Sequence, residues 1–506
     1  MIPPPTQPVT GEPPTGSPVP LSDPSRAQLL LHRSALVLLC TVLALWAAAS
    51  LQWPYYWDHG IFAWIGDTAL HGGMPYRDAW DVKGPLTFYL FALVEAVFGK
   101  GMWGIRLFDL LVLATGMAGA ARLVGTMAGR GAGMYTALFI ALQYAGSDFN
   151  NTAQPDGWAA LLILPGLVPL VTDRRMMVPH RAAAAAALIG ALTLLKPVFA
   201  AWLVAPFLYV VLAPDKQAGT KLRALVGMGA SFLLPLALCA AWFAVRGALG
   251  ALVDAYLLFN LDQAGTQPIP VREALRRFAW RLILSPTIML GSAAALAGAL
   301  GLLVWRRRMG AIIVAWAAAG FIMVYVQHRF YSRYHWHVAY VPFAVLAGVA
   351  LGSLWRERVG DERRWSTPRV LAAVTGLLLF LTVLEPPLRL VGRWISFETG
   401  RISREQYDGD FRDEVLYWSA ATSRRLADWM AGHTRPGEPV FVWSDPMVNY
   451  LSGGPPSAGS PSTSRSTRSP RPRAARRTGQ SCCKGSRRSV LPISPSAAAA
   501  WRSPIR

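Results

Sequence analysis

The sequence predicts an all-α polytopic membrane protein of about eleven transmembrane helices, with interfacial helices in its first outer loop. Of its 506 residues, 53% are hydrophobic and only 15% are charged, and the mean hydropathy is +0.33. Such an apolar excess is atypical of a soluble domain, and the low charged fraction excludes a wholly disordered chain. The apolar residues also gather in long runs separated by short basic loops.

Each apolar run of sufficient length predicts one membrane span. A signal peptide is the alternative for the first run, but its length and the runs that follow favour a span. The eleven runs cover residues 35–53, 106–122, 132–147, 157–171, 182–196, 198–213, 224–245, 286–305, 310–327, 338–355 and 370–388.

Basic clusters orient these spans, because short cytoplasmic loops collect Lys and Arg. All of the clusters fall inside when the N-terminus is cytoplasmic, and the region from residue 389 then falls outside. We therefore expect a multi-pass protein of the cell (inner) membrane whose active face is extracytoplasmic. The clusters lie at 26–33, 122–130, 174–181, 216–223, 306–308 and 356–369.

One apolar segment, Gly84–Phe98, is too short to cross the membrane. A helix of about 15 residues is about 22 Å long, whereas the hydrocarbon core is about 30 Å thick. We expect this segment, and a helix over Ile61–His71, to lie on the outer membrane surface.

The net charge of +21 does not indicate a nucleic-acid partner, because eleven units of it lie in residues 454–506, which hold ten Arg, one Lys and no acid. Two interpretations of this low-complexity tail remain open. It is a disordered basic tail, or the reading frame shifts near Gly453, since a GC-rich gene read out of frame yields such a composition.

The remaining organisation has three predicted parts. A disordered cytoplasmic N-terminus covers residues 1–34, and a transmembrane domain covers 35–388. A partial extracytoplasmic domain covers 389–453, with an amphipathic run at Phe411–Met430 and a strand at Pro439–Trp443.

The first outer loop carries the candidate chemistry. Asp58 lies five residues after the first span, within reach of a lipid headgroup and of solvent. A carboxylate there can take a proton from an acceptor hydroxyl. A solvated loop carboxylate without function is the alternative.

The loop at 328–337 is the other dense cluster. Arg329 and Arg333 lie outside, against the positive-inside trend, and phosphate binding would explain them because guanidinium groups bind phosphate oxygens. Zinc is the less favoured interpretation of His328, His335 and His337, because no Cys or acid lies near them.

The first outer loop resembles a known family. Its motif comprises Asp58-His-Gly-Ile-Phe, Leu70-His-Gly-Gly-Met-Pro-Tyr-Arg-Asp78, Trp80-Asp81-Val-Lys83-Gly-Pro85, Phe98-Gly99 and Arg106-Leu. This resembles the start of the GT-C glycosyltransferases related to protein O-mannosyltransferases and aminoarabinose transferases (family 39-like). The resemblance implies a GT-C-like fold and a cell-envelope glycosyltransferase, a hexosyl or pentosyl transferase. It also implies a polyprenyl-phosphate sugar donor and a lipid, protein or glycan acceptor.

The resemblance also implies roles for individual residues. Asp58 matches the proposed catalytic base, and Asp156, the second expected catalytic residue, matches a second acidic position, for which helix capping is the alternative. Lys196 matches a Lys-Pro element whose ammonium needs an anionic partner such as a lipid phosphate, unless it snorkels to the interface. The expected donor or phosphate ligands are Lys83, Lys196, Arg329, Arg333 and His335, and the expected supporting residues are His59, Tyr76 and Asp81.

His59 stands where many relatives have Glu, so one carboxylate that some relatives use for a metal is absent. No metal ligand is assigned and no cofactor is certain, although a divalent metal stays open. His59 also predicts pH-dependent activity if its neutral and charged forms are both accessible near pH 7.

A multi-span lipid or solute transporter is the competing function. Transporters place ionisable groups near the bilayer midplane, often within inverted repeats. Here the predicted spans are nearly free of charge, and the exceptions, Asp109 and Glu385, lie near outer ends. A membrane scaffold is a third interpretation, but it would not need ionisable residues converging on one face.

Overall fold

The structure is a computed structural model, and it describes residues 26–452 except 174–177, 215, 267–269, 285, 328–332, 357–366, 414–417 and 436–444. Four predictions therefore fall outside the described residues. They are the disordered segment before residue 26, the role of Arg329, the strand at Pro439–Trp443 and the nature of the tail after residue 453.

Helices make up nearly all of the described chain. The first part comprises α1 (Arg26–Ser50), α2 (Trp57–Leu70), α3 (Pro85–Phe98), α4 (Trp103–Ala128), α5 (Arg130–Ala145), α6 (Pro155–Thr172) and α7 (Pro179–Thr193). A 3₁₀ helix at Pro197–Leu203 leads into α8 (Val204–Val211), α9 (Ala218–Val245) and α10 (Leu249–Leu252).

The second part begins with a π-helical turn at Val253–Leu258. It continues with α11 (Phe259–Thr266), α12 (Val271–Leu284), α13 (Pro286–Trp305), α14 (Arg307–Val326), a 3₁₀ turn at Arg333–Trp336, α15 (His337–Arg356) and α16 (Thr367–Glu398). The last elements are α17 (Arg404–Gly409), the antiparallel pair β1 (Arg412–Asp413) and β2 (Trp418–Ser419), α18 (Ala420–His433) and α19 (Pro446–Ser452).

Every predicted span falls on helical structure, and the fold class is confirmed. Among the described residues, seven helices are long and apolar enough to cross a membrane: α1, α4, α6, α9, α14, α15 and α16. The other four predicted spans fall on the shorter helical segments α5, α7, Pro197–Val211 and α13. The chain is therefore a multi-pass α-helical membrane protein.

The helices predicted for the first outer loop are present as α2 and α3. Phe62, Trp64 and Ile65 of α2 are fully buried, so much of this helix is covered by protein. The two helices pack closely at Gly66, where a Cβ would come within 3.0 Å of Phe88 O. Together, α2 and α3 carry several residues of the first-loop motif.

The C-terminal elements pack onto this hairpin. Met447 of α19 lies so close to Gly60 of α2 that a Cβ at residue 60 would approach its backbone nitrogen within 2.7 Å. Tyr56 donates a 2.6 Å hydrogen bond to Asp413 of β1, and Tyr55 stacks near Tyr450 with ring centroids 5.5 Å apart. Residues far apart in sequence thus enclose the start of α2.

Candidate functional site

Asp58 lies in the first turn of α2, and its side chain is half-buried. Gln154 Nε2 donates to Asp58 Oδ2 across 3.3 Å and also to the Asn150 carbonyl across 3.2 Å. The carboxylate is therefore oriented by a buried amide. A group of this kind can accept a proton from a bound molecule.

Lys83 reaches the same site from the turn that precedes α3. Tyr76 holds the segment in place, because its hydroxyl donates a 2.7 Å hydrogen bond to the Lys83 carbonyl. Tyr76 itself has a positive φ of 69° within this turn. The Lys83 ammonium lies 3.4 Å from the Tyr334 hydroxyl and 5.2 Å from the centre of that ring.

The pKa of the Lys83 ammonium depends on its burial and on the charged groups around it. Burial alone would lower the pKa of the Lys83 ammonium. The oxygen of Tyr334 and the carboxylates of Asp58 and Asp156 instead raise this pKa above its usual value. Lys83 therefore stays positively charged through neutral pH.

The main chain fixes the position of Lys83 relative to Lys196. Gly84 N donates to Leu195 O across 3.0 Å, and Leu86 N donates to Leu194 O across 3.1 Å. A Cβ at Gly84 would lie 2.0 Å from Leu194 O, so only glycine fits there. The two lysine-bearing segments are thus joined backbone to backbone.

Asp156 forms the buried end of the site, at the start of α6. Its carboxylate is fully buried and accepts hydrogen bonds from Lys196 Nζ at 3.0 and 3.1 Å. The N-cap residue of α6 is Gln154, so Asp156 lies within the first turn rather than at the predicted capping position. Asp156 is thus an anionic partner of Lys196, and a lipid phosphate as a ligand of Lys196 stays a prediction.

His335 completes this buried cluster. Its Nδ1 lies 3.1 Å from Lys196 Nζ and 3.3 Å from Asp156 Oδ1. One ring nitrogen cannot accept from the ammonium and donate to the carboxylate at once. Since Lys196 only donates, we assign Nδ1 as an acceptor from Lys196, which leaves the imidazole neutral.

The remaining expected ligands lie apart from this cluster or at its edge. Arg333 is exposed to solvent at the start of the 3₁₀ turn, and Arg329 is outside the described residues. Asp81 is half-buried, and its Oδ2 accepts a 3.4 Å bond from Lys83 N. Burial raises the pKa of the Asp81 carboxyl, although Lys83 lowers it.

The prediction for His59 is wrong in one respect. The residue is fully buried, its Nδ1 accepts from Tyr56 N at 3.2 Å, and its Nε2 donates to Thr152 O at 2.9 Å. Burial lowers the pKa of this imidazole, and the Arg106 guanidinium lowers it further. His59 is therefore neutral near pH 7 and ties α2 to the loop before α6.

Three residues of the site had no assigned role in the sequence. Gln154 and Tyr334 contact Asp58 and Lys83, as described above. Arg106 is 1% exposed and donates to Pro54 O at 2.9 Å and to Thr152 Oγ1 at 3.1 Å. A buried guanidinium needs several acceptors, and Arg106 finds them in the segments before α2 and before α6. The one sequence signal for Arg106 was its place in the first-loop motif.

Asp109, an exception among the predicted spans, is also accounted for by packing. Its Oδ1 accepts from Tyr144 Oη at 2.6 Å and from Trp158 Nε1 at 2.7 Å. The carboxylate is buried and hydrogen-bonded within the helix bundle, next to α6. Asp109 thus links α4 to α5 and α6 through hydrogen bonds.

The residues around Asp156 do not fit a divalent cation. Its two carboxylate oxygens already face an ammonium, and one of them also faces an imidazole. Within the described ranges, no group of three or more His, Cys, Asp or Glu side chains is arranged to hold a metal ion. His337 lies 5.0 Å from the Tyr144 ring, packed in the bundle.

Solved structures share the fold, whereas neither family models nor curated proteins match this chain. ArnT from Cupriavidus metallidurans matches in the apo state with a TM-score of 0.52 and 17% identity, covering 84% of this chain and 86% of that chain. The same protein bound to undecaprenyl phosphate matches with a TM-score of 0.51 and 16% identity, covering 84% and 85%.

A further match is the archaeal oligosaccharyltransferase AglB from Archaeoglobus fulgidus, solved with an inhibitory peptide and a dolichol-phosphate. It has a TM-score of 0.48 and 14% identity, and the match covers 84% of this chain but 64% of AglB. At these identities, the likeness to ArnT shows the fold. The GT-C-like fold implied by the first-loop motif is thereby confirmed.

Proposed function

We propose that this chain is a membrane glycosyltransferase that moves a sugar from a polyprenyl-phosphate donor to an acceptor on the extracytoplasmic face. The observation that carries the proposal is the half-buried Asp58 carboxylate, oriented by Gln154, in one site with the Lys83 ammonium. A base and a cation in one site match the two charges that develop during displacement of a phosphate from a sugar.

The likeness to ArnT supports the donor class. One of the matched structures is bound to undecaprenyl phosphate, and this chain has the same fold over 84% of its length. The predicted topology would place Asp58 and Lys83 at the outer membrane surface, where the phosphate of a polyprenyl carrier lies. The sugar, a hexose or pentose, and the lipid, protein or glycan acceptor belong to the same proposal.

The proposed reaction is a single displacement. The acceptor oxygen or nitrogen attacks the anomeric carbon, and the bond between that carbon and the phosphate oxygen breaks. The acceptor's proton goes to Asp58, while the electron pair leaves with the phosphate. Lys83 stabilises the departing phosphate, and Arg333, exposed at the edge, is the second candidate ligand for it.

Asp156, Lys196 and His335 then act as a positioning cluster. Lys196 supplies a buried positive charge for Asp156, and the backbone bonds at Gly84 couple its segment to Lys83. Tyr76 and Asp81 hold the Lys83 turn, and His59 holds the start of α2. Arg329 stays a proposed phosphate ligand from sequence.

A donor panel tests the proposal. Purified full-length protein would be incubated with labelled polyprenyl-phosphate sugars, and transfer or slow hydrolysis would be followed by chromatography. Turnover that requires Asp58 is the expected result. Flux of a lipid or solute across liposomes without turnover of any donor would favour the transporter and overturn the assignment.

A further inference from the structure

Helix α12, Val271–Leu284, is a basic amphipathic helix between α11 and the membrane-spanning region that begins at α13. Its residues 271, 275, 278 and 282 are apolar and recur at helical spacing, so they share one face. Arg272, Glu273, Arg276 and Arg277 lie on the other side. Together with Arg281, these residues give the 14-residue helix a formal charge of +3.

Among the described side chains of this helix, residues of both faces are exposed. On the apolar face, Val271 is 62% exposed and Leu275 is 57% exposed. On the basic face, Arg272 and Arg276 are exposed. A helix of this composition would not leave its apolar face in water, so the surface that covers it must be apolar on one side and polar on the other.

The charge of α12 runs against the topology rule. Its chain segment follows α9 and precedes α13, and we predict that it lies outside, where short loops are poor in Arg. Glu273 pairs with Arg276 at 2.9 Å and with Arg277 at 2.8 Å, which orders the basic face without neutralising it. A local excess of arginine on the outer side needs an anionic partner.

We propose that α12 is a membrane-surface helix that binds the anionic phospholipid headgroups of the outer leaflet. Its apolar residues enter the acyl boundary, and its arginines bind headgroup phosphates. The inference does not depend on the transferase activity, since it rests on the exposure and the charge of α12 alone.

The position of α12 relates this surface to the candidate site. Asn260 of α11 donates a 2.9 Å hydrogen bond to Val82 O, next to Lys83. The chain from the end of α11 to the start of α12 can span at most about 18 Å. The start of α12 therefore lies within that distance of the end of α11, the helix that contacts the Lys83 turn.

Lipid titration tests the proposal. Delipidated full-length protein in a neutral detergent would be titrated with short-chain phosphatidylglycerol and, separately, with phosphatidylcholine. We expect tighter binding of phosphatidylglycerol by the wild type. The variant Arg272→Gln with Arg276→Gln should lose about tenfold or more of that preference, because each surface arginine favours anionic lipid. Arg277 keeps Glu273 paired in this variant.

A matched control removes the same charge elsewhere. Arg122→Gln with Arg130→Gln removes one exposed arginine near the C-terminal end of α4 and one from the first turn of α5, on the predicted opposite face. This control should retain the preference for phosphatidylglycerol. Equal binding of the two lipids by the wild type, or equal losses in both variants, would overturn the proposal. Comparable melting temperatures of all three proteins would show that folding is unchanged.

Discussion

Lys196 donates hydrogen bonds to both carboxylate oxygens of Asp156, a residue 40 positions earlier in the chain. The carboxylate is 0% exposed and the lysine side chain is 14% exposed, so the pair is almost fully removed from solvent. Removal of one partner would leave the other charge buried without compensation.

Single substitutions of the pair should be strongly destabilising. We expect Asp156→Asn or Lys196→Met to cost about 3 kcal/mol of unfolding free energy each, because one buried charge is left unpaired. The double variant should cost clearly less than the sum of the two. Denaturant unfolding in detergent micelles measures all four proteins, and strictly additive losses would contradict a direct pair.

Asp58→Asn should abolish transfer while leaving the fold intact. A carboxylate that takes the acceptor's proton contributes about 10²- to 10⁴-fold to the rate, and an amide cannot accept that proton. The measurement is turnover of a labelled polyprenyl-phosphate sugar. Asp428→Asn is the control, since Asp428 is an exposed carboxylate of α18, outside the first-loop motif. Undiminished activity of the Asp58 variant would refute its role as the base.

Substitutions of Lys83 separate charge from shape. Lys83→Met should lower kcat/KM about 10²- to 10³-fold, because the charge that stabilises the leaving phosphate is lost. Lys83→Arg should recover part of that loss. Lys100→Met is a suitable control, since Lys100 pairs with Asp67 at 3.2 Å on the protein surface. Equal activity of the Met and Arg variants would show that the charge of Lys83 is dispensable.

His59 should make the protein acid-sensitive. Its pKa in the folded state is lowered by burial, so the unfolded chain binds more protons as the pH falls below about 6.5. The stability contributed by the neutral imidazole is therefore full above that pH and is lost progressively below it. Melting temperatures between pH 5 and 8 would show a shallower acid slope for His59→Asn. An unchanged slope would mean that this imidazole does not control acid unfolding.

Glu95 should make the protein less stable as the pH rises, the opposite of the effect expected for His59. Burial, with Asp67 nearby, raises the pKa of its carboxyl from 4.5 to about 7. The folded protein therefore holds more protons between these values, and stability is lost as the pH rises through about 7. Glu95→Gln should raise the melting temperature at pH 8 relative to the wild type. Glu405→Gln, which alters an exposed ion pair, should not, and a lower melting temperature of the Glu95 variant would refute the prediction.

The helices were largely predictable, because apolar runs and basic loops report directly on the membrane. Even the short helix α3 was expected from the length of Gly84–Phe98. The partner of Lys196 was not predictable, since no local pattern brings residue 156 to residue 196. A lipid phosphate beside Lys196 stays a prediction, and tertiary packing supplies Asp156 as an anionic partner of this lysine.

The error about His59 has a similar cause. Its ordinary pKa suggested a titrating group near pH 7, but burial and two backbone partners favour the neutral ring. Gln154 and Tyr334 carried no catalytic signature of their own, because amides and phenols are common in outer loops. Only the fold places them within reach of Asp58 and Lys83.

The backbone pairing at Gly84 has a consequence for how this protein tolerates change. The spacing between the two lysine-bearing segments is set by main-chain atoms rather than by the side chains at 194 and 195. A one-residue insertion or deletion in either segment would shift the register and separate the two charges. An insertion or deletion should therefore disturb this site far more than a substitution, except at Gly84, where only glycine fits.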